Sequence, residues 1–307
     1  MLVGAFVSVL SISGQQPSAP GREPSWAFPA INGALPAEAG TKSLPGSTKS
    51  YTPAQIDDLL NPPDWFPDEH APAPPIVQKG HDAALACGAC HLMSGHGHPE
   101  SAGMTGFTAD YIAQQMADFK SGVRKDAARM NGIAKAVSDE ESRQAAEWFA
   151  ALKPAVWTKV IEADTVPKTV VAQGRMRFAQ PGGGTEPIGN RIITVPQDEA
   201  RARSRDPRSG FIAYVPAGSI AKGKTLVESG GSGRTITCSI CHGDALKGLG
   251  NVPRLAGLHP IYIARQLYLF KDGSRNGIDA QLMKKAVAQL TDEDILILAS
   301  YLGSLAP

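Results

Sequence analysis

Apolar residues recur at helical spacing in two widely separated stretches, and each run begins behind a residue suited to cap a helix. The caps are Ser138 and Thr291, each followed by acidic residues that favour the first turn of a helix. The apolar positions behind them are Ala145, Trp148, Phe149 and Leu152 in one stretch and Ile295, Leu298, Ala299 and Leu302 in the other. Because residues three or four apart lie on one helix face, both stretches are predicted to form amphipathic helices.

The two stretches belong to an internal repeat. When His91 is placed over His242, Tyr111–Lys120 falls on Tyr262–Lys271 without a gap, and each segment is predicted to be a helix. A third helix is expected ahead of each cysteine pair, near Val77–Ala86 and Ile220–Ser229. The chain is therefore expected to hold two copies of one helical domain.

The remaining segments have a different composition. Residues 14–76 are rich in Pro, Gly, Ser and Ala, which predicts an extended arm, with one short helix at Thr52–Leu60 that begins at Pro53. Residues 154–220 contain short β-prone segments separated by Pro and Gly clusters, and irregular β-hairpins packed across the two domains are expected there. The β-prone segments are Val166–Val171, Arg191–Val195 and Phe211–Val215.

The fold class expected is mainly α: two tandem domains joined by an irregular, partly β connector, with a Pro-rich N-terminal arm. The apolar run Leu2–Leu10 is too short to cross a bilayer and suits the core of a signal peptide, although a basic region ahead of it is missing. The predicted organisation is a signal segment at 1–13, the arm at 14–76, domain 1 at 77–153, the connector at 154–220 and domain 2 at 221–307.

All four cysteines stand in Cys-x-x-Cys-His motifs, at Cys87-Gly88-Ala89-Cys90-His91 and Cys238-Ser239-Ile240-Cys241-His242. Two thiols one helical turn apart can each form a thioether to a vinyl group of one haem, and the histidine that follows can bind its iron. A redox dithiol, a structural zinc site and two disulfides are the competing interpretations. Two such motifs at equivalent positions of a repeat favour covalent haem, with Cys87, Cys90, Cys238 and Cys241 as the attachment residues and iron as the metal.

The repeat also selects the sixth iron ligand. Met104 and Met116 stand where the second copy has leucine, which is typical of core positions, whereas Met130 and Met283 occupy equivalent positions just ahead of the last helix. The predicted metal ligands are therefore His91 with Met130 and His242 with Met283. His96 and His98 follow His91 too closely to lie readily across the iron, and bis-histidine ligation of the first haem stays open as an alternative. The Pro253–Gly257 loop is expected to offer a backbone carbonyl to the second nitrogen of a haem histidine.

The composition and net charge give little information about the function. The chain has 307 residues, 19% of them charged, and a formal net charge of +1, so nothing in it indicates a nucleic-acid partner. No stretch is long and apolar enough to predict a membrane span.

These motifs resemble the tandem two-haem class I cytochromes c of the cytochrome c4-like type. The resemblance covers about half of the chain and is weaker in the first copy. The matching segments of the second copy are Cys238–Gly243, Pro253–Gly257, Tyr262–Gly273, Met283 and Leu290–Tyr301. It implies two helical haem domains that carry electrons in the periplasm between respiratory partners. The chain departs from the family in Leu92 after the first motif, in the long connector and in the arm.

The expected function is that of a periplasmic dihaem c-type cytochrome, not an enzyme, that passes electrons between a dehydrogenase as donor and an oxidase or another cytochrome as acceptor. A haem with both axial positions filled changes oxidation state without binding substrate at iron. The alternatives are a haem subunit of a periplasmic dehydrogenase complex and, less favoured, a dihaem peroxidase-like enzyme, which would need an open iron site.

Overall fold

A computed structural model describes residues 24–307, so the expected signal segment lies outside the described part of the chain. The described chain contains helices and several small sheets. Its helices are α1 Pro53–Ile56, α2 Pro75–Gln78, α3 Gly88–His91, α4 Ala109–Ser121, α5 Met130–Ala136, α6 Asp139–Ala151, α7 Glu199–Arg203, α8 Ser219–Ser229, α9 Ser239–His242, α10 Pro260–Lys271, α11 Gln281–Val287 and α12 Asp292–Ser304. Its strands are β1 Lys42–Ser43, β2 Ser50–Tyr51, β3 Thr158–Glu162, β4 Thr165–Pro167, β5 Thr169–Val171, β6 Arg177–Ala179, β7 Thr185–Pro187, β8 Ile193–Pro196 and β9 Phe211–Val215.

The repeat in the sequence is a repeat of helices in the structure. The one-turn helices α3 and α9 carry the two cysteine motifs, and each is followed by three helices in the same order, α4–α5–α6 and α10–α11–α12. In the first set α4 packs against α5 and α6, and in the second α10 packs against α11 and α12. Apolar side chains of both sets contribute to one large core cluster.

Both predicted helix caps are confirmed. The hydroxyl of Ser138 accepts a hydrogen bond from the backbone N–H of Glu141 at 3.2 Å, and that of Thr291 accepts one from Asp294 N–H at 3.1 Å. In each case the acidic side chain returns a bond to the N–H of the cap, which completes a capping box. These boxes begin α6 and α12, whose apolar faces are buried in the core.

The helices ahead of the two motifs differ between the copies. In the second copy α8 spans Ser219–Ser229, close to the prediction, whereas in the first only the single turn α2 forms, and the helix expected near Val77–Ala86 is absent. The chain turns back at Gly80, where an added Cβ would lie 2.3 Å from the carbonyl oxygen of Ala84. Asp82 has a φ of 49°, outside the helical region, so the turn ends the helix early.

The connector forms a small sheet and one interrupted hairpin, in which the β4–β7 pair encloses the β5–β6 pair. Strand β9 lies at the centre of a three-stranded sheet, parallel to β3 and antiparallel to β8, and β4–β7 and β5–β6 form antiparallel pairs. The sequence predicted β8 and β9 but not β3, and the predicted strand Val166–Val171 is divided into β4 and β5 of one interrupted hairpin. The sheet packs through β3 against α12 of the second copy. Trp157 and Arg205 of the connector also donate hydrogen bonds to the carbonyls of Gly97 and Ala89 in the first copy, so the connector contacts both copies, as expected.

The arm has more structure than its composition predicts. Strands β1 and β2 pair, and Leu44, Ile56, Trp65 and Phe66 form a separate apolar cluster. The helix expected at Thr52–Leu60 is only the turn α1, capped by Thr52. Trp65 donates from Nε1 to the carbonyl oxygen of Ser204 at 2.7 Å, which ties the arm to the connector. No helix among residues 24–307 is long and apolar enough to cross a membrane.

The two sets of helices meet at a pair of buried arginines that occupy equivalent positions of the repeat. Arg124 and Arg275 both donate to the side-chain oxygen of Gln115, at 2.7 and 2.8 Å, and to that of Gln266, at 2.9 and 3.1 Å. Arg275 also donates to the hydroxyl of Tyr111 at 2.7 Å. Because each arginine is satisfied by side chains of both copies, the contact fixes the copies against one another.

Replacement of Thr291 by alanine is expected to destabilise the protein by about 1 kcal/mol, because the Asp294 N–H loses the acceptor that begins α12. Thr225→Ala is the matched control, since Thr225 is exposed inside α8 and its hydroxyl bonds only to the carbonyl of Ala221. Denaturant unfolding followed by circular dichroism measures both. Equal stability of the two variants would contradict the role of the cap.

Candidate functional site

Each motif histidine is fixed by one hydrogen bond to a backbone carbonyl. Nδ1 of His91 donates to the oxygen of Ala102 at 2.8 Å, and Nδ1 of His242 donates to that of Pro253 at 2.7 Å. The expectation that the Pro253–Gly257 loop offers such a carbonyl is confirmed. A histidine that donates from Nδ1 keeps Nε2 free as a neutral ligand for a metal.

The neutral form of both rings is favoured by their surroundings. Burial lowers the pKa of His91 and of His242 below the ordinary value for histidine. The same effect raises the pKa of the Cys87 thiol to about 12 and that of Cys238 to about 11. Before haem is attached, these pKa values leave His91 and His242 neutral and the thiols of Cys87 and Cys238 protonated at neutral pH.

A cavity of about 1100 Å³ lies beside the first motif. Its wall includes Cys87, Cys90, His91 and Met130, the four residues predicted for the first haem. The apolar part of the wall is formed by side chains of α4, α5 and α6, among them Ile112, Phe119, Ile133, Ala145 and Phe149. The volume is slightly above the range of about 300–1,000 Å³ that is typical of ligand pockets. Two thiols and an imidazole beside an apolar space are the groups that attach a c-type haem, and the thioether of Met130 is the predicted second iron ligand.

Met130 is placed at the start of α5 by a network in the loop before it. The side chain of Asn131 donates to the carbonyl oxygens of Phe119 at 2.7 Å and Arg124 at 2.8 Å, and its oxygen accepts from the N–H of Asp126 at 2.6 Å. Met104 and Met116 also reach the cavity wall. The choice of Met130 among the three therefore depends on the repeat and stays a prediction.

The second motif has the same local structure. Cys238, Cys241 and His242 lie on or next to α9, and His242 is 6% exposed. Met283 lies in α11, is partly buried and packs against the same core cluster as Cys238. The assignment of Met283 as the second sulfur ligand stays a prediction.

His96 and His98, the alternative histidine ligands of the first haem, have different surroundings. His98 lies on the cavity wall, and its ring nitrogens are bonded to the N–H of Glu100 and the hydroxyl of Ser101, both at 3.2 Å. His96 stacks on Trp157, with ring centroids 4.9 Å apart. Both nitrogens of His98 are thus used within its own loop, and the described residues that line the cavity include Met130 but not His96, which favours Met130 over a second histidine as the ligand.

Sequence reasoning missed the residues of the arm and connector that cover the first site. Trp157 donates from Nε1 to the oxygen of Gly97 at 3.0 Å, and the guanidinium of Arg205 donates to the oxygen of Ala89, inside the first motif. Met176 and Phe211 of the connector and Leu59 of the arm also line the cavity. No repeat or motif contains these residues, so the pattern of the sequence carried no signal for them.

The two motifs consequently differ in exposure at equivalent positions. Ala89, between the cysteines of the first motif, is 0% exposed, whereas Ile240 at the same place in the second is 69% exposed. Ile236, just before the second motif, is 52% exposed, and its counterpart Leu85 is partly buried. The first attachment site is covered by protein, and the second is open.

Comparisons with known proteins agree with this chemistry. The family model for cytochrome c matches residues 220–306. Cytochrome c4 of Pseudomonas aeruginosa is 27% identical over 231 residues, which cover 74% of this chain and 87% of that protein. A thiosulfate dehydrogenase electron acceptor of Thiomonas intermedia is 28% identical over 244 residues, 78% of this chain and 83% of that one. Cytochrome c-554(548) of Halomonas halodenitrificans is 38% identical over 69 residues, 22% of this chain and 83% of that protein.

Replacing both cysteines of one motif by serine should remove one haem and leave the other. Cys87→Ser with Cys90→Ser is expected to lose the haem of the first site, and Cys238→Ser with Cys241→Ser that of the second, because each pair supplies both thioethers of its own site. Intact-protein mass spectrometry after denaturation counts the haems that remain attached. Two attached haems in either double variant would show that the cysteines do not hold them.

Proposed function

The chain belongs to the cytochrome c family and is cytochrome c4-like, and from this we propose that it is a periplasmic carrier that takes electrons from a dehydrogenase and delivers them to an oxidase or another cytochrome. It is a dihaem electron-transfer cytochrome with two covalently bound haem c groups. The donor, the acceptor, the compartment and the ligands of each iron are parts of the proposal.

The observation that carries the proposal is the composition of the first cavity. Met130, the proposed sulfur ligand, lies on the wall that also contains Cys87, Cys90 and His91. Haem supplies a one-electron couple when it is bound with histidine and methionine, and methionine favours a comparatively high potential. A haem held by His91 and Met130 would leave its iron no open position for a substrate, so the proposed role is electron transfer and not catalysis.

Hydrogen bonds within the protein fix the proposed iron ligands in place, whichever oxidation state the iron has. Ala102 and Pro253 fix the two imidazoles through their carbonyls, and Asn131 fixes the loop that leads to Met130. A ligand set that is held in place by the fold need not rearrange when an electron arrives. We propose that 77–153 and 221–307 are two tandem cytochrome c domains, each of which holds one haem in this way.

A second candidate is a haem subunit of a periplasmic dehydrogenase complex. The relative in Thiomonas intermedia that accepts electrons from thiosulfate dehydrogenase supports a partner of this class. The folded arm at 24–76 and the connector offer surfaces for such an assembly. Co-purification with a dehydrogenase would distinguish a subunit from a freely diffusing carrier.

The difference in cover between the two motifs indicates where electrons are exchanged with partners. Ile236 and Ile240 surround the second attachment site with exposed apolar surface, while Arg205 and connector side chains cover the first. Because electron transfer falls off with distance, a partner reaches the second haem more easily. In this proposal the second haem exchanges electrons with partners and the first receives them internally.

The methionine assignments predict distinct effects on the two haems. Met130→Ala and Met283→Ala are each expected to convert one haem from low spin to high spin and to lower the reduction potential of that haem, because its iron loses the sulfur ligand. Paramagnetic resonance of the oxidised protein and a spectroelectrochemical titration measure the two effects. Met104→Leu and Met116→Leu are matched controls, since the second copy has leucine at both places. A high-spin haem in a control variant, or none in the alanine variants, would overturn the assignment.

Unequal cover predicts unequal rates of electron exchange. The serine double variants test this prediction. The variant with Cys238→Ser and Cys241→Ser keeps only the first haem, and the variant with Cys87→Ser and Cys90→Ser keeps only the second. Electron self-exchange between oxidised and reduced copies is expected to be several-fold faster in the variant that keeps the second haem, because its edge meets another molecule at the open motif. Nuclear magnetic resonance line broadening in mixed-oxidation samples gives the rate. Equal rates, or a faster first haem, would contradict the proposed entry point.

A further inference from the structure

One arginine connects the two loops that fix the proximal histidines. Arg254 follows Pro253, the residue whose carbonyl holds His242 at 2.7 Å. Its Nε donates to the carbonyl oxygen of Thr105 at 2.9 Å. Thr105 lies three residues after Ala102, whose carbonyl holds His91 at 2.8 Å. Two hydrogen-bonded histidines in different domains are thus joined through one side chain.

Arg254 is buried without an acidic partner. It is 5% exposed and Thr105 is 0% exposed, so their contact lies inside the protein. The remaining donors of Arg254 face the carbonyl of Ala256 and the hydroxyl of Thr105, and its guanidinium lies 5.8 Å from the ring centre of Phe107. Among residues 24–307, no Asp or Glu forms an ion pair with it. Such a charge is costly to bury, which indicates that it has a purpose other than stability.

The charge of Arg254 is present at neutral pH. Burial lowers its pKa to about 10, so the guanidinium remains protonated under ordinary conditions. The titratable groups that face it are His96 and His259, and burial lowers their pKa values to about 4 and about 3, so both are neutral. Two carbonyl oxygens and one hydroxyl therefore accept from a positively charged guanidinium that forms no ion pair with an Asp or Glu of residues 24–307.

Only the second copy has an arginine at this position, but its side chain contacts the histidine loop of the first copy as well. The position equivalent to Arg254 in the first copy is Gly103, so the first loop has no cation of its own. The loop of the first copy makes room for Arg254 at Gly106, where an added Cβ would lie 2.7 Å from its Nε. Gly106 has a φ of 74°, a conformation that glycine adopts without strain.

We propose that Arg254 is a positioning residue shared by both haem sites, which holds the two proximal loops together and raises the reduction potentials of both haems. This inference rests on the proposed function, in which His91 and His242 bind the haem irons. Reduction adds one electron from the donor to a ferric iron and lowers the charge of the site by one. A fixed positive charge in a poorly polarisable interior favours the reduced form of any iron close to it.

The test is a comparison of the two midpoint potentials in three variants of the full-length protein. Arg254→Gln keeps a donor for the Thr105 carbonyl but removes the charge, Arg254→Met removes both, and Arg254→Lys keeps the charge. Lys247→Met is the matched control, because Lys247 is an exposed cation in the same copy whose charge is screened by solvent. Spectroelectrochemical titration measures both potentials, and mass spectrometry and paramagnetic resonance establish that each variant holds two low-spin haems.

The expected result is a fall of both potentials in the Gln and Met variants, a return towards the wild-type values in the Lys variant and little change in the control. Unchanged potentials in a Gln variant with two low-spin haems would overturn the inference and leave the proposed function intact. A fall confined to one haem, or an equal fall in the Lys and Gln variants, would also overturn it. If the Met variant does not fold, the Gln and Lys variants decide the question. Wild-type protein without attached haem would instead refute the proposed function.

Discussion

The hydrogen bond from each motif histidine to a backbone carbonyl eleven residues further along the chain is the constraint on which both sites depend. It sets the tautomer and the direction of the ring, so that Nε2 is presented as a neutral ligand. The one-turn helix with the cysteines and the loop with the carbonyl must then lie at a fixed distance. The longer helices of each copy pack around this pair and provide the apolar wall that a haem needs.

Two copies of this arrangement have acquired different surroundings. The first is covered by the connector and the arm, through contacts such as the bond from Trp157 to Gly97 and the bond from Arg205 to Ala89. The second is open at Ile240. Equivalent ligands in unequal surroundings are a physical means of giving two chemically similar haems different access to partners. The cover distinguishes the two sites, whereas the proposed effect of Arg254 is common to both, because its one charge lies close to the histidine loops of both.

Much of the site could be predicted from the sequence because the relevant signals are local or repeated. The caps Ser138 and Thr291 act within four residues, and the carbonyl in the Pro253–Gly257 loop follows its motif at short range, so both predictions are confirmed by the hydrogen bonds. Met130 and Met283 became candidates because the repeat sets them apart from Met104 and Met116. The missing helix at Val77–Ala86 depends on a turn at Gly80 that is dictated by packing against Ala84, which no periodicity reveals. The cover over the first site depends on contacts between residues far apart in the chain, such as Trp157 and Gly97, and composition cannot predict their pairing.

The central claim is that a duplicated fold holds two haems, each between a histidine and a methionine. The measurement that tests it most directly is the combined optical and paramagnetic-resonance spectrum of the oxidised wild-type protein, produced in a host that attaches haem c. The account predicts two low-spin ferric haems with the charge-transfer band of a sulfur–iron bond. A high-spin iron, a spectrum of two bis-histidine haems or a colourless protein would contradict it.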